Sequence, residues 1–254
     1  MPDLSISIVT PTLNAERFLP ECLESVRSQG WPAVEHLIVD GGSQDRTREL
    51  VAESGALWLA RPHLNQSAAI NVGIQAASGE VVTWLNADDA YTKGTIAFVA
   101  ERFASDPNVV VLVGDCQVID EDGKSLWRIA PGPYDFGQLL RRGNSMAQPA
   151  VFFRKRVVEA VGYLDESLDF GMDYDLWLRM KDCRVEYVPR LLAMFRWHPT
   201  SKSATHLLDN WREVLLIVRR YGGGWTVALA WSYARARLTL ARQQAALRVR
   251  RVRT

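Results

Sequence analysis

Three times in the first 90 residues, a run rich in Val, Ile and Leu stops abruptly at polar residues. Leu4 to Val9 stops at Thr10-Pro11-Thr12, Val34 to Val39 at Asp40-Gly41-Gly42-Ser43, and Glu80 to Leu85 at Asn86-Ala87-Asp88-Asp89. Short apolar runs bounded by turn residues read as buried strands. Between them the spacing of apolar residues changes. Phe18, Leu19, Cys22, Leu23 and Val26 recur at helical intervals, which predicts an amphipathic helix to about Gln29 with Asn14 as its N-cap. Further helices are expected over Thr47 to Ser54 and Ser67 to Ala77, with a short strand, Ala56 to Ala60, between them. Strands alternating with helices imply a parallel sheet with right-handed crossovers. Ligands collect at the carboxyl ends of such strands, so three polar strand ends define a binding edge.

The third end carries two adjacent carboxylates, Asp88 and Asp89. Neighbouring acids repel unless a cation sits between them. Mg²⁺ and Mn²⁺ prefer oxygen ligands, often shared with a substrate phosphate. The structural alternative is a polar turn that merely contains two acids. Other chemistries are argued against. No GxGxxG follows the first strand and no GxxxxGK[ST] occurs, which speaks against a dinucleotide dehydrogenase or a P-loop enzyme. Cys22, Cys116 and Cys183 show no CxxC spacing, which fits a reducing compartment and neither a zinc site nor a disulfide framework. Met1 to Asp3 lead straight into a strand pattern, so no signal peptide is expected. No apolar run approaches the ~20 residues of a membrane-spanning helix. The expected location is the cytoplasm.

Beyond Asp89, a helix is predicted over Thr95 to Ala104 and a strand over Val109 to Val118. A tight turn at Asp120 to Lys124 then returns as the hairpin strand Ser125 to Ile129. A short helix (Tyr134 to Arg142), a strand (Ala150 to Phe153), a helix (Met172 to Cys183), strand structure over Val185 to Trp197 and a helix (His206 to Tyr221) follow. Gly222-Gly223-Gly224 is the clearest boundary. Residues 1–221 are therefore expected to form one domain, with residues 222–254 a basic amphipathic helix behind it.

That last segment is unusual in charge. Arg219 to Thr254 holds nine arginines and no acid, although the whole chain carries only +1. Val227, Trp231, Ala234, Leu238, Ala241, Ala245, Val249 and Val252 form a stripe at helical spacing. Three readings compete for it: a helix lying on an anionic membrane surface, a helix packed on the domain, and a dimerising coiled coil. The small Ala residues weaken the last, which is the route to a homodimer. Nothing else in the chain supports nucleic-acid binding.

The motifs taken together resemble glycosyltransferase family 2. The resemblance rests on Thr10-Pro11-Thr12-Leu13-Asn14, Leu37 through Thr47 around Asp40-Gly41-Gly42-Ser43, and Asn65 through Gly73. It continues in Leu85-Asn86-Ala87-Asp88-Asp89, Met172 through Arg179, and Phe195-Arg196-Trp197-His198. It spans roughly Ser5 to Ser203, with the motifs in order and each at a predicted strand end or helix start.

The resemblance implies the nucleotide-diphospho-sugar transferase (GT-A) fold: α/β, a mostly parallel central sheet flanked by helices, here with a C-terminal helical extension. It implies a nucleotide-sugar-binding half (residues 1–115) and an acceptor-binding half (residues 116–221). Thr10, Pro11, Thr12 and Asp40 match the family's nucleoside contacts, and Gln66, Asn71, Asn86 and Asp88 complete the expected nucleotide-binding set. The capping alternative for Asp40 stands beside its contact with the base. Asn86-Ala87-Asp88 takes the place of the DXD motif, with an amide where the first acid lies. The metal, Mg²⁺ or Mn²⁺, is therefore expected on Asp88, with Asp89 a second ligand or a support, and His198 completing the sphere. Asp173 matches the general base, and Met172 replaces the acid that often precedes it. The implied reaction is inverting transfer of one sugar from a UDP- or dTDP-sugar, or a GDP-sugar, to a hydroxyl of a glycan or lipid-linked acceptor in cell-surface polysaccharide synthesis. Ala193 stands where processive synthases carry Gln, so single addition is expected. An inactive sugar-nucleotide-binding relative and a nucleotidyltransferase are the rival readings. The acceptor would depend on the loops Tyr134 to Gln148 and Asp165 to Gly171. Lipid-linked acceptors would place the protein on the inner face of the membrane.

Overall fold

The computed structural model describes residues 4–234 and residue 237. The first half alternates as expected: β1 (Ile6–Thr12), α1 (Leu19–Arg27), β2 (Val34–Asp40), α2 (Thr47–Ser54), β3 (Leu57–Ala60), α3 (Gln66–Ala76) and β4 (Val81–Trp84). These strands lie in the order β3-β2-β1-β4, all parallel. The second half adds β5 (Ala90–Tyr91), α4 (Thr95–Ser105), β6 (Val111–Ile119), β7 (Ser125–Ile129), α5 (Phe136–Arg142), β8 (Val151–Arg154) and α6 (Lys155–Val161). It closes with α7 (Met172–Arg179), β9 (Val185–Arg196), α8 (Lys202–Thr205) and α9 (Leu207–Arg220). The sheet continues as β8-β6-β9-β5, with β7 hairpinned onto β6. β8 runs antiparallel between β4 and β6, and β9 runs parallel to β6. Parallel ladders carry most of the pairing.

Alternation along each strand sends neighbouring side chains to opposite faces. Ile6 and Ile8 of β1 pack with Cys22 and Val26 of α1 and with Ile96, Val99 and Phe103 of α4. Val9, on the other face, packs with Ile70 and Ile74 of α3 and shares a core with Trp177 of α7 and Ile217 of α9. Trp84, Phe153 and Trp177 stack with centroids 5.5 to 5.9 Å apart, a geometry that adds to simple area burial. This block of three rings lies directly beneath the binding edge.

Several expectations change. Asn14 does not cap α1. It adopts φ +50°, and its side-chain oxygen accepts from Gln44 N–H at 2.9 Å, tying the loop after β1 to the loop after β2. The helix begins instead after Phe18, with Pro20 in its first turn, where a missing N–H costs nothing. α6 and β5 were not anticipated, because each is too short to set a period. The helix expected to reach Cys183 stops at Arg179.

Packing also crosses the glycine triplet. Residues 227–234 are helical. Leu229 is fully buried in the main core, and Thr226 Oγ1 donates to the Arg141 carbonyl. The anticipated stripe does not face that core, since Val227 and Trp231 are 89% and 60% exposed. The rest of the stripe, from Leu238 to Val252, lies outside the described residues. Among the described residues no helix is long and apolar enough to cross a membrane.

Gly73 faces β1 so closely that an added Cβ would lie 2.3 and 2.9 Å from the Val9 methyl groups. Overpacking of this kind outweighs the gain in helix propensity. Gly73→Ala is expected to lower stability by about 1–2 kcal/mol, measured by urea unfolding.

Candidate active site

The edge where β1, β2 and β4 end is the one expected from their parallel pairing. After β4, Leu85 N–H donates to the Val9 carbonyl and Asp89 N–H to the Asn86 carbonyl, each near 3.0 Å, so the chain turns sharply between two acids. The turn sends them opposite ways. Asp89 points inward and is 1% exposed. It accepts from Arg196 N–H at 2.9 Å and from the Asn86 amide at 3.2 Å. Burial and the charge of Asp88 push its carboxyl well above the ordinary range, although those two donors hold it down. Asp88 points outward into a cleft, and its Oδ2 lies 3.1 Å from His198 Nε2.

His198 arrives from the far end of the sheet. It follows β9, whose last residue, Arg196, is buried. The Arg196 guanidinium donates to the Asp88 and Asp120 carbonyls at 3.0 and 3.1 Å, pairs with Glu21 of α1, and packs over Phe18. His198 Nδ1 bonds Thr200 Oγ1 at 2.9 Å and its ring lies 4.8 Å from Phe18. Residues 110 positions apart are thereby held as an adjacent carboxylate–imidazole pair.

Asp173 opens α7. Its carboxylate accepts from its neighbour Tyr174 N–H at 2.7 Å and from the Asn144 amide at 2.9 Å. Burial pushes it up to about 6, against the pull of those two donors. One face stays open, because Asp173 lines cavities on both sides. The smaller, of about 160 Å³, runs from Asp173 past Gln148 and Asn86 to Asp88. A neighbouring cleft of about 380 Å³ continues from Asp88 and His198 past Gln66 and Asn86 to Pro11 and Arg17. Gln66 Nε2 donates to Asn86 Oδ1 at 2.9 Å, which fixes both amides at the junction.

Asp88 and His198 suit a divalent cation. One carboxylate and one imidazole would leave room for further oxygen ligands, which Mg²⁺ prefers, and imidazole is acceptable to Mn²⁺. Among the described residues no third His, Cys, Asp or Glu joins them. Each Asp89 oxygen accepts one hydrogen bond at the turn.

Other expected site residues lie elsewhere. Thr10 is fully buried, with its hydroxyl 2.9 Å from His36 Nε2. The Asp40 carboxylate accepts from Thr12 Oγ1, from Gly42 and Ser43 N–H and from Ser43 Oγ. Thr12 is thereby one of four donors that hold Asp40 in place. Asn71 is buried and ties α3 to the Leu164 backbone and to Glu166. Thr10, Thr12, Asp40 and Asn71 are thus all hydrogen-bonded within the turns and loops of the protein. Pro11, Gln66, Asn86, Asp88, Asp173 and His198 do line the clefts.

Sequence reasoning missed Ser201 and Lys202, which line both cavities that reach Asp88, from the loop after His198. Ser201 Oγ is buried without a hydrogen-bond partner among the described residues. A buried hydroxyl left unpaired is costly unless a ligand meets it. No periodicity marks such a loop, although its run of hydroxyl residues after a histidine was a usable signal.

The family model described as glycosyl transferase family 2 matches residues 7–161. An uncharacterized glycosyltransferase of Rickettsia typhi is 26% identical over 227 residues, covering 82% of this chain and 70% of that protein. The O-antigen biosynthesis protein RfbC of Myxococcus xanthus is 30% identical over 196 residues, covering 70% of this chain and 14% of that protein. Among solved structures, S. aureus TarS 1–349 in complex with UDP-GlcNAc superposes with TM-score 0.68 at 17% identity, over 93% of this chain and 73% of that one. The mannosyltransferase PcManGT from Pyrobaculum calidifontis, in complex with GDP-Man and Mn²⁺, superposes with TM-score 0.65 at 19% identity, over 95% and 75%. At these identities the likeness is one of fold, the GT-A fold expected above.

The environment of Asp173 has a direct consequence. Its carboxyl should titrate near pH 6 by carbon-detected NMR. Asn144→Ala removes a donor that favours the charged form, so the midpoint should rise further.

Proposed function

Because the chain belongs to glycosyl transferase family 2, we propose that it transfers one sugar, with inversion, from a nucleotide-diphosphate sugar to an acceptor hydroxyl. The observation that carries the reading is that Asp88, paired with His198, and Asp173 face one continuous cavity. One end offers a site for a metal-bound diphosphate. The other offers a carboxylate of raised pKa.

Asp88 and His198 would hold Mg²⁺ or Mn²⁺, and a bound cation neutralises charge gathering on the departing diphosphate. Lys202 and Arg17, both lining the clefts, add positive charge at that end. Gln66 and Asn86 present amides to the ribose or phosphate, and Pro11 packs beside the nucleoside. Asp173 receives the proton of the acceptor hydroxyl as its oxygen attacks the anomeric carbon. Attack from the face opposite the diphosphate inverts the centre. A carboxylate of pKa near 6 is well matched to this role near neutral pH, because a general base works best close to its operating pH. The same proton balance makes turnover fall as pH drops through about 6, where Asp173 becomes protonated.

UDP- or dTDP-sugars are the favoured donors, with GDP-sugars the alternative. TarS and PcManGT, solved with UDP-GlcNAc and with GDP-Man, support both choices on this fold. The acceptor is a glycan or lipid-linked hydroxyl in cell-surface polysaccharide synthesis, a reading supported by relatives named for O-antigen and glycolipid biosynthesis. A location on an anionic membrane surface is supported by the exposed side chains Trp225, Val227 and Trp231 at the start of an arginine-rich segment.

Calorimetric titration with UDP, dTDP and GDP, each with and without Mn²⁺, should give tight, metal-dependent binding of one of them. Asp173→Asn should then lower turnover by about 10²- to 10⁴-fold while nucleotide affinity stays unchanged. Near-normal turnover by that variant would sink the assignment of the base.

A further inference from the structure

A further cavity beside the site, of about 400 Å³, is not used by the donor reading. Its volume lies within the roughly 300–1,000 Å³ of small-molecule sites. It lies on the other side of Asp173, and Gln148, Phe170 and Asp173 belong to the walls of both cavities. A molecule seated there reaches Asp173 from the face opposite the donor.

The lining has a particular chemistry. Trp211 of α9 contributes a half-buried indole, braced edge-on by Tyr233 with ring centroids 6.2 Å apart. Phe170 adds a second aromatic side chain. Asn144, Gln148 and Asn210 add three amides. Asn144 is fixed by its bonds to Asp173 and to Met146 N–H, and Gln148 by its bonds to Asn86 and the Trp84 carbonyl. The Asn210 side chain makes no hydrogen bond among the described residues, which leaves one donor group and one acceptor group free at the wall. A pyranose is complementary to this set. Its C–H face is apolar and lies flat on an aromatic ring, and each hydroxyl both donates and accepts, as an amide pair requires. A hydrocarbon chain in the same place would leave the amides desolvated and unpaired, which is unfavourable.

We infer that this cavity receives a sugar ring of the acceptor, stacked on Trp211 and hydrogen-bonded by Asn210, so that the hydroxyl attacking the donor belongs to a saccharide rather than to a bare lipid alcohol or a protein side chain. The inference rests on the glycosyltransferase reading of Asp173. Asn210 and Trp211 lie beyond residues 7–161, the part matched by the family model, so acceptor choice is written in α9 rather than in the shared donor-binding half.

The test uses the full chain saturated with its nucleoside diphosphate and Mn²⁺. The probes are the methyl α- and β-pyranosides of glucose, galactose, mannose and N-acetylglucosamine, set against farnesol and a serine-containing peptide. Binding is read by saturation-transfer NMR. At least one pyranoside should bind. Trp211→Ala should weaken it by at least about tenfold. Trp211→Phe, which keeps a ring for stacking and guards against simple unfolding, should retain most of the affinity. Asn210→Ala should weaken it severalfold, and nucleotide affinity should be the same in all three variants. Binding of farnesol or peptide with no pyranoside bound overturns the inference, as does pyranoside binding that survives Trp211→Ala. Absence of nucleotide binding by the unsubstituted protein is the separate result that fails the function reading, and the inference with it.

Discussion

The guanidinium of Arg196 is the interaction on which the site depends. It is 2% exposed and joins four parts of the chain: the Asp88 carbonyl after β4, the Asp120 carbonyl in the hairpin, Glu21 on α1, and the end of β9 from which it projects. A planar group with five donors in fixed directions can do this, whereas an ammonium could not hold the same geometry. Its own N–H takes Asp89, and two residues later His198 meets Asp88. A buried cation needs partners on every side, and here those partners are the elements that meet around the cleft of Asp88 and His198.

The carboxylates divide according to their surroundings. Asp89 is buried among donors and sustains the turn. Its neighbour Asp88 is turned to the cleft and meets an imidazole. Asp173, farther along the same cavity, has two donors and one open face, and burial raises its pKa. Residues with the same functional group thus acquire different environments and protonation tendencies through burial and hydrogen bonding alone. Trp84, stacked on Phe153 and Trp177, lines the cavity shared by Asp88 and Asp173.

Much of the fold was legible in the residues. The bounds of α2 and of β7 coincide with those read from apolar spacing and turn residues. The antiparallel placement of β8 was not legible, because the alternation of a buried strand is the same in either direction. At the site, Asp88, His198 and Asp173 were named from motif resemblance; Asp88 and Asp173 line one cavity, and His198 joins Asp88 in the adjoining cleft. Thr10, Thr12, Asp40 and Asn71 were named on the same grounds but are engaged within the protein. A polar side chain at a strand end can serve a ligand or the turn itself, and sequence does not separate the two. Ser201, Lys202, Asn210 and Trp211 carry no periodic signal that relates them to the site.

The sequence by itself determined the alternating β/α order, the parallel edge with its polar strand ends and, through resemblance, the family. These follow from spacings of a few residues, over which local sterics and amphipathicity act. The tertiary structure alone decided that Asp89 turns inward, how closely His198 approaches Asp88, and that α9 would wall the far side of Asp173. Those outcomes depend on contacts between residues as many as 110 positions apart. Such contacts are set by how the two halves of one sheet close around a buried arginine, and that closure leaves no periodic trace in the chain.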